Sequence, residues 1–234
     1  MMTGSAGIIA AGKGSRMKME GIEASKPLVP IAGTPLIGHT LRQFAEIGVR
    51  RVAIIFNESE SDCVEWVQRH FSAFELEIIV KTTRSSFESF WRVGRALGPG
   101  RHVMCAVDSL CSPADWHAMF TCGADSGRDV LLGVTSFVHD EKPLWVRTEP
   151  GSLKIVELGG GPEKFATAGI YNVGGAIFER EMEEGISSLR VFLAELLREG
   201  FPFRAVPLGN VIDVDTAEDI NLAERFLSQI RGDV

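Results

Sequence analysis

A run of small residues with two cations lies near the start of the chain: Ala10, Ala11, Gly12, Lys13, Gly14, Ser15 and Arg16. Small residues let backbone N–H groups approach an anion, and Lys and Arg side chains neutralise its charge. The run therefore indicates a loop that binds a triphosphate, with Lys26 as a further cation. For the glycines alone, a solvated loop with incidental lysines is the alternative. Arg16 and Lys26 together favour the phosphate-binding interpretation.

Two other phosphate-loop patterns do not fit this segment. Residues 7–13 match the spacing GxxxxGK, but the intervening residues are an apolar strand, and Gly14 stands where a magnesium-binding Ser or Thr is required. A dinucleotide-binding GxGxxG pattern would need a third glycine at Met17. Both patterns are therefore excluded.

Three aspartates are candidate ligands of a hard cation. Asp108 and Asp213 each follow an apolar run, at the strand end where a cation can lie beside bound phosphates. A turn-forming role is the alternative for Asp108. Asp215 and Glu218 have the spacing of a helix cap, so they could serve only to begin the last helix. Asp213 has no such explanation and ranks above Asp215 as the second metal ligand.

The elements that must position these residues alternate between strands and helices. Short apolar runs predict strands buried on both faces at 8–11, 52–56, 103–107 and 130–132. Helical patterns lie at 60–71, 86–97, 113–122, 188–199 and 216–230. A further helix begins with Thr34 as N-cap and Pro35 at its first position, and ends at Gly48. The rhythm predicts an α/β fold with a mainly parallel, mixed sheet.

The chain is expected to form one domain over residues 1–234. Between about 137 and 175 the pieces become shorter and strand-like, which predicts a small β insertion, a lid on the substrate side. In an open α/β sheet, ligands lie beyond the carboxyl ends of the strands, so residues just after each apolar run are the first candidates for a site.

Composition excludes several classes of protein. The chain has 234 residues, 45% apolar and 24% charged, which is unlike disordered or collagen-like chains. Its net charge of -7 argues against a nucleic-acid partner. No apolar run reaches the roughly 20 residues of a membrane span, and no signal peptide is evident, so a cytoplasmic location is expected. The four cysteines form no CxxC pair, which makes a zinc site improbable. The oligomeric state stays open.

Two segments resemble a known family. The sequences AAGKGSRM at 10–17 and KPLVPIAGTPLI at 26–37 are similar to the signature of the sugar-nucleotide pyrophosphorylases and related nucleotidyltransferases. The likeness continues at 107–108, 168–171 and 212–219. It implies a Rossmann-like three-layer α/β/α sandwich. It also implies that the glycine loop and Arg16 hold the NTP phosphates and that Lys26 stabilises charge at the reacting phosphates.

The resemblance implies the remaining site residues as well. It makes Asp108 a ligand of Mg2+, with Asp213 or Asp215. On the acceptor side it implies Lys164, which Lys154 could replace, together with Gly169 and Tyr171. Residues 85–89 lie where the family has a glycine-threonine element beside the base; here the sequence departs from it. Ser86 is the candidate base contact, and a helix cap is the alternative for these serines.

The function implied is a magnesium-dependent nucleotidyltransferase. An acceptor phosphate oxygen would attack the α-phosphorus of an NTP in line, and pyrophosphate would leave. The acceptor would be a sugar 1-phosphate, or an alcohol phosphate such as phosphocholine. The alternative from another class is a non-catalytic module that binds a nucleotide or nucleotide sugar and keeps the fold for regulation.

Overall fold

The computed structural model describes residues 4–123, 127–140, 142–182 and 185–232. Its strands are β1 Ser5–Ala10, β2 Pro30–Ile31, β3 Thr34–Pro35, β4 Arg51–Phe56, β5 Glu75–Val80, β6 Arg101–Ala106, β7 Ser109–Leu110, β8 Val130–Thr135, β9 Trp145–Thr148, β10 Ile155–Leu158, β11 Phe165–Gly174, β12 Phe203–Pro207 and β13 Ile212–Asp213. Its helices are α1 Ser15–Met19, α2 Leu36–Ile47, α3 Ser61–His70, α4 Ser86–Leu97, α5 Pro113–Thr121, α6 Leu189–Arg198 and α7 Ala217–Gly232. Within these ranges, no helix is long and apolar enough to cross a membrane.

Nine of the strands form one mixed sheet. Its order is β10-β9-β11-β6-β1-β4-β5, and β8 joins it by pairing with β11 on one side and β12 on the other. Strands β5, β4, β1 and β6 are parallel, whereas β11 runs antiparallel to β6 and β8. The predicted α/β class with a mainly parallel, mixed sheet is confirmed.

Successive residues of a strand point to opposite faces of the sheet. Helices pack against both faces of this sheet, so both are buried. On one face, β1 residues such as Ile8 pack with Phe44 of α2 and Trp116 of α5. On the other face, Ile55 of β4 packs with Phe90 of α4 and with α6. The three layers follow directly from these two apolar clusters.

A third apolar cluster lies outside the sheet and joins the two ends of the chain. It contains Met17, Val29, Ile31 and Leu36 from the first part and Ile212, Val214, Ala223 and Phe226 from the last part. The Lys26–Leu28 turn of 3-10 helix and the 212–215 segment are therefore held beside each other by apolar packing.

Two local predictions need correction. Thr34 is not the cap of α2, because it pairs with Ile31 in a small hairpin and the helix begins at Leu36. The predicted end is confirmed, since Gly48 adopts the left-handed conformation at φ 90°. The peripheral insertion is also shorter than 137–175, because β11 lies inside the central sheet, between β6 and β8. Only the segment before β11 is peripheral.

The close approach of α4 to the Gly175–Glu179 turn predicts a stability effect. A Cβ on Gly94 would lie 2.3 Å from the ring of buried Phe178. We expect Gly94→Ala to lower the free energy of unfolding, because an overpacking cost of about 1–3 kcal/mol outweighs the gain in helix propensity of about 1 kcal/mol. Urea unfolding measures the difference. The control Gly161→Ala has open space at this position. Equal stability of the two variants would contradict the prediction.

Candidate active site

A pocket of about 1020 Å³ opens at the carboxyl ends of the parallel strands. Residues after β1, β4 and β6 line it, together with residues of β11 and residues 137–140, 142 and 143. The candidate residues that line it are Ala10, Ala11, Gly12, Lys13, Gly14, Ser15, Arg16, Lys26, Ser86, Asp108, Gly169, Tyr171, Asp213 and Asp215. The first and last parts of the chain therefore meet in a single cleft.

The glycine loop presents its backbone to this pocket. Gly14 has φ 58°, which is a left-handed conformation that favours glycine. The N–H groups of Gly12, Lys13 and Gly14 donate no hydrogen bond within the described part of the chain. An added Cβ on Gly12 would meet no atom within 4 Å, so the backbone there faces open space. This arrangement can receive an anion.

Lys26 is the buried cation of the site. Its Nζ lies 2.5 Å from Oδ2 of Asp108 and 2.6 Å from Oδ1 of Asp215, and its side chain is only 8% exposed. Burial would lower the pKa of Lys26, but the charges and hydrogen bonds of the two aspartates outweigh it and raise the pKa above its ordinary value. The ammonium group is therefore kept charged.

Three carboxylates surround one point beside Lys26. Asp108, Asp213 and Asp215 each offer an oxygen, and these oxygens lie within 4.8 Å of one another. The charge of Asp108, and then that of Asp215, raise the pKa of Asp213 well above its ordinary value. A divalent cation at this point would remove that repulsion, and carboxylate oxygens are the ligands that Mg2+ prefers. The donor set therefore fits the predicted metal.

Asp215 faces the pocket because another residue caps α7. The hydroxyl of Thr216 accepts the N–H of Asp219 at 3.2 Å, and the carboxylate of Asp219 accepts the N–H groups of Asp215 and Thr216. Asp215 is thus left to pair with Lys26 and with Arg16, whose Nη2 lies 2.7 Å from Asp215 Oδ2. The capping alternative considered for Asp215 is wrong.

A bulge in β11 shapes the opposite wall. The register of β11 against β8 shifts between Thr167 and Tyr171, and Gly169 within this stretch has φ 70°. A Cβ at Gly169 would lie 2.1 Å from Oγ of Ser109. Tyr171 is 8% exposed and lies on the pocket wall. The bulge therefore places Gly169 and Tyr171 on the wall of the pocket.

The two candidate lysines of the acceptor side lie outside the pocket lining. Lys164 lies over the ring of Phe165, with Nζ 4.9 Å from the ring centroid. Lys154 pairs with Glu149 at 2.7 Å. Ser86 does line the pocket, but its hydroxyl accepts the N–H of Leu189 at 3.0 Å, and Ser85 caps α4.

The structure adds pocket residues that sequence reasoning missed. Arg190 at the start of α6 lines the wall near Tyr171, and its Nη2 lies 3.2 Å from Oδ2 of Asp140. Its Nη1 also donates to the carbonyl of Lys142, another pocket residue. No sequence pattern marks Arg190. Asn57, by contrast, comes directly after β4, where the strand-end rule would have found it.

Glu60 supports the pocket from behind Asn57. Its carboxylate accepts the N–H of Asn57 at 3.3 Å and the residue is 5% exposed. Burial raises the pKa of Glu60 to about 7, against the hydrogen bond from Asn57, and nearby Asp62 adds to the rise. The folded state thus binds this proton more strongly than the unfolded chain does.

This pKa predicts how stability depends on pH. Since the folded pKa exceeds the unfolded one, the stability contribution of Glu60 is present below about pH 4.5 and is lost as pH rises through 7. Relative to the wild type, Glu60→Gln should therefore gain up to about 3 kcal/mol in unfolding free energy between pH 4 and pH 8. Urea unfolding across that range measures it, with exposed Glu65→Gln as the control. If the difference in unfolding free energy between Glu60→Gln and the wild type does not change with pH, the prediction is contradicted.

Comparisons with known proteins find a matching family and several similar proteins. The model of the MobA-like NTP transferase domain matches residues 6–163. The bifunctional IPC transferase and DIPP synthase of Aquifex aeolicus (strain VF5) is 25% identical over 97% of this chain and 52% of that protein. The chain thus spans about half the length of that relative.

Two further proteins match along most of their length. The 3-deoxy-manno-octulosonate cytidylyltransferase of Mesorhizobium japonicum is 27% identical, over 87% of this chain and 92% of that protein. The solved inositol-1-phosphate CTP transferase from T. maritima has a TM-score of 0.82 at 18% identity, and the match covers 99% of this chain and 97% of the other. The latter likeness shows a shared fold.

Proposed function

Because the chain belongs to the family of MobA-like NTP transferase domains, we propose that it transfers a nucleoside monophosphate from an NTP to a phosphorylated sugar or alcohol and releases pyrophosphate. The family match also confirms the resemblance of segments 10–17 and 26–37 to nucleotidyltransferases. One observation carries the proposal: Lys26 lies between Asp108 and Asp215 in the same pocket as the open N–H groups of the glycine loop.

The residues of the pocket can carry this reaction by positioning and charge neutralisation. A phosphate oxygen of the acceptor is already a nucleophile near neutral pH, so no covalent enzyme intermediate is required. The N–H groups of the loop bind the triphosphate, and Arg16 and Lys26 neutralise the charge that grows as pyrophosphate leaves. Asp108, Asp213 and Asp215 would hold Mg2+, which when bound supplies further neutralisation of phosphate charge.

Lys26 has a second role in this scheme, which is to fix the carboxylates. With Nζ at 2.5 and 2.6 Å from two of them, the ammonium group offsets their mutual repulsion and keeps their oxygens close together. Arg16 reaches Asp215 from the loop side and is 52% exposed in its side chain. It is therefore the more mobile of the two cations and the one free to turn toward a bound phosphate.

The names of the relatives guide the choice of substrates. One is named a cytidylyltransferase and another a CTP transferase that acts on inositol 1-phosphate. CTP is therefore the first nucleotide to test, with phosphorylated alcohols beside sugar 1-phosphates as acceptors. A matrix of four NTPs against such a panel, with and without Mg2+, is scored by the pyrophosphate produced. A binding module without catalysis would release none with any pair.

Two substitutions test the catalytic role of the buried cluster. We expect Lys26→Ala and Asp108→Asn each to lower the rate of pyrophosphate release by about 10²- to 10³-fold, the loss seen when one stabilising group at a developing charge is removed. Surface Lys154→Ala is the matched control and should retain wild-type turnover. Circular dichroism verifies that the fold survives. Wild-type turnover in both variants would contradict the assignment.

The proposed binding site of the acceptor, on the pocket wall near Tyr171, allows the roles of two cations to be compared. Arg190 lines the pocket near Tyr171, whereas Lys164 lies outside it. An anionic acceptor bound at this wall needs the guanidinium group, so we expect Arg190→Ala to raise the KM for the acceptor about tenfold or more. Lys164→Ala should leave that KM within about twofold. Steady-state kinetics at saturating NTP measure both values. The reverse order would restore Lys164 as the acceptor ligand.

A further inference from the structure

Asn57 lies where the carboxyl ends of three neighbouring parallel strands meet. It directly follows β4, Ala11 directly follows β1, and Thr82 lies just after β5. Its Nδ2 donates to the carbonyl of Ala11 at 3.3 Å. Its Oδ1 accepts the N–H of Ser59 at 3.2 Å and the hydroxyl of Ser59 at 3.0 Å, and Thr82 Oγ1 is 3.4 Å away. The amide orientation is thus fixed from both ends.

The contact with Ala11 has a consequence for the next residue. In a trans peptide, the C=O and the following N–H point in opposite directions. When Asn57 holds the Ala11 carbonyl, the N–H of Gly12 must point away from Asn57. Gly12 has no side chain and faces open space, and within the described residues no other hydrogen bond holds the Ala11–Gly12 peptide in this orientation.

The backbone of Asn57 is itself held in place. Its N–H donates to the buried carboxylate of Glu60, and the N–H of Glu60 donates to the carbonyl of Asn57 at 3.0 Å. Asn57 is 7% exposed although it lies on the pocket wall. A side chain this restricted can impose one orientation on a flexible loop without loss of further rotamer freedom when a ligand binds.

We propose that Asn57 is a positioning residue: it fixes the Ala11–Gly12 peptide so that the Gly12 N–H is available to the phosphates of the nucleotide before the nucleotide binds. This inference rests on the proposed function. It assigns Asn57 no contact with the reacting atoms. Asn57 affects the affinity for the polyphosphate and does not affect the affinity for the acceptor.

Two variants remove the amide donor to the Ala11 carbonyl without adding charge. Asn57→Ala loses the whole amide, and Asn57→Ser keeps a polar group whose hydroxyl is one bond shorter than the amide and does not reach that carbonyl at hydrogen-bond distance. The probes are inorganic tripolyphosphate with Mg2+, which lacks a base and reports on the loop, and the NTP in turnover. We expect both variants to weaken tripolyphosphate binding and raise the NTP KM by about 3- to 10-fold, the effect of one lost hydrogen bond. The acceptor KM should stay within about twofold.

The matched control removes a hydrogen bond from the other end of the same amide. Ser59→Ala keeps the contact between Asn57 and Ala11 and should bind tripolyphosphate like the wild type. If the Asn57 variants bind tripolyphosphate like the wild type, or raise the KM for NTP and acceptor equally, the positioning role is wrong while the proposed function stands. A wild-type chain that binds no tripolyphosphate and releases no pyrophosphate would overturn both.

Discussion

The contact of one buried ammonium group with two carboxylates is the constraint on which the site depends. The three residues, Lys26, Asp108 and Asp215, come from the first, middle and last parts of the chain. The segment that carries each of them is held in place by the sheet or by apolar packing. Asp108 follows β6 in the sheet, and the third apolar cluster packs the segments of Lys26 and Asp215 together. Apolar packing thus brings the charges within reach, and their attraction then fixes the final geometry. Neither would suffice alone, because a buried ion pair offsets its cost of desolvation only in good geometry, and apolar contacts lack direction.

The electrostatics of the pocket suit a ligand that carries both charge signs. Carboxylates and cations lie close together in one cleft: Asp215 pairs with both Lys26 and Arg16, and Asp213 has its pKa raised chiefly by Asp108. A metal-bound polyphosphate has cationic and anionic parts and can satisfy both groups. The N–H groups of Gly12, Lys13 and Gly14, which have no hydrogen-bond acceptor among the described residues, extend the positive region beyond Lys26 and Arg16. The arrangement favours charge neutralisation, since the two aspartates keep the ammonium group of Lys26 charged.

Much of this could be predicted from sequence, and the failures have physical reasons. Buried strands and amphipathic helices carry strong local patterns, so α4 was predicted at 86–97 as observed. Strand β5 was missed because it lies at the sheet edge and alternates exposed glutamates with half-buried residues. The spacing of Asp215 and Glu218 suggests a cap wrongly, because a spacing cannot show which residues cap the helix, and Thr216 and Asp219 perform that role. Arg190 could not be found, since only tertiary packing brings α6 to the pocket.

The central position of β11 limits how such a site can diversify. One wall of the cleft is a strand that pairs with β6 and β8 along both edges, and its bulge leaves no room for a side chain at Gly169. Changes there would disturb the whole sheet. Residues 137–140 and 142–143 line another wall, where the half-exposed Arg190 contacts the carboxylate of Asp140 and the carbonyl of Lys142. Under the proposed function, substitutions in these residues can change the choice of acceptor and disturb the central sheet less than substitutions in β11.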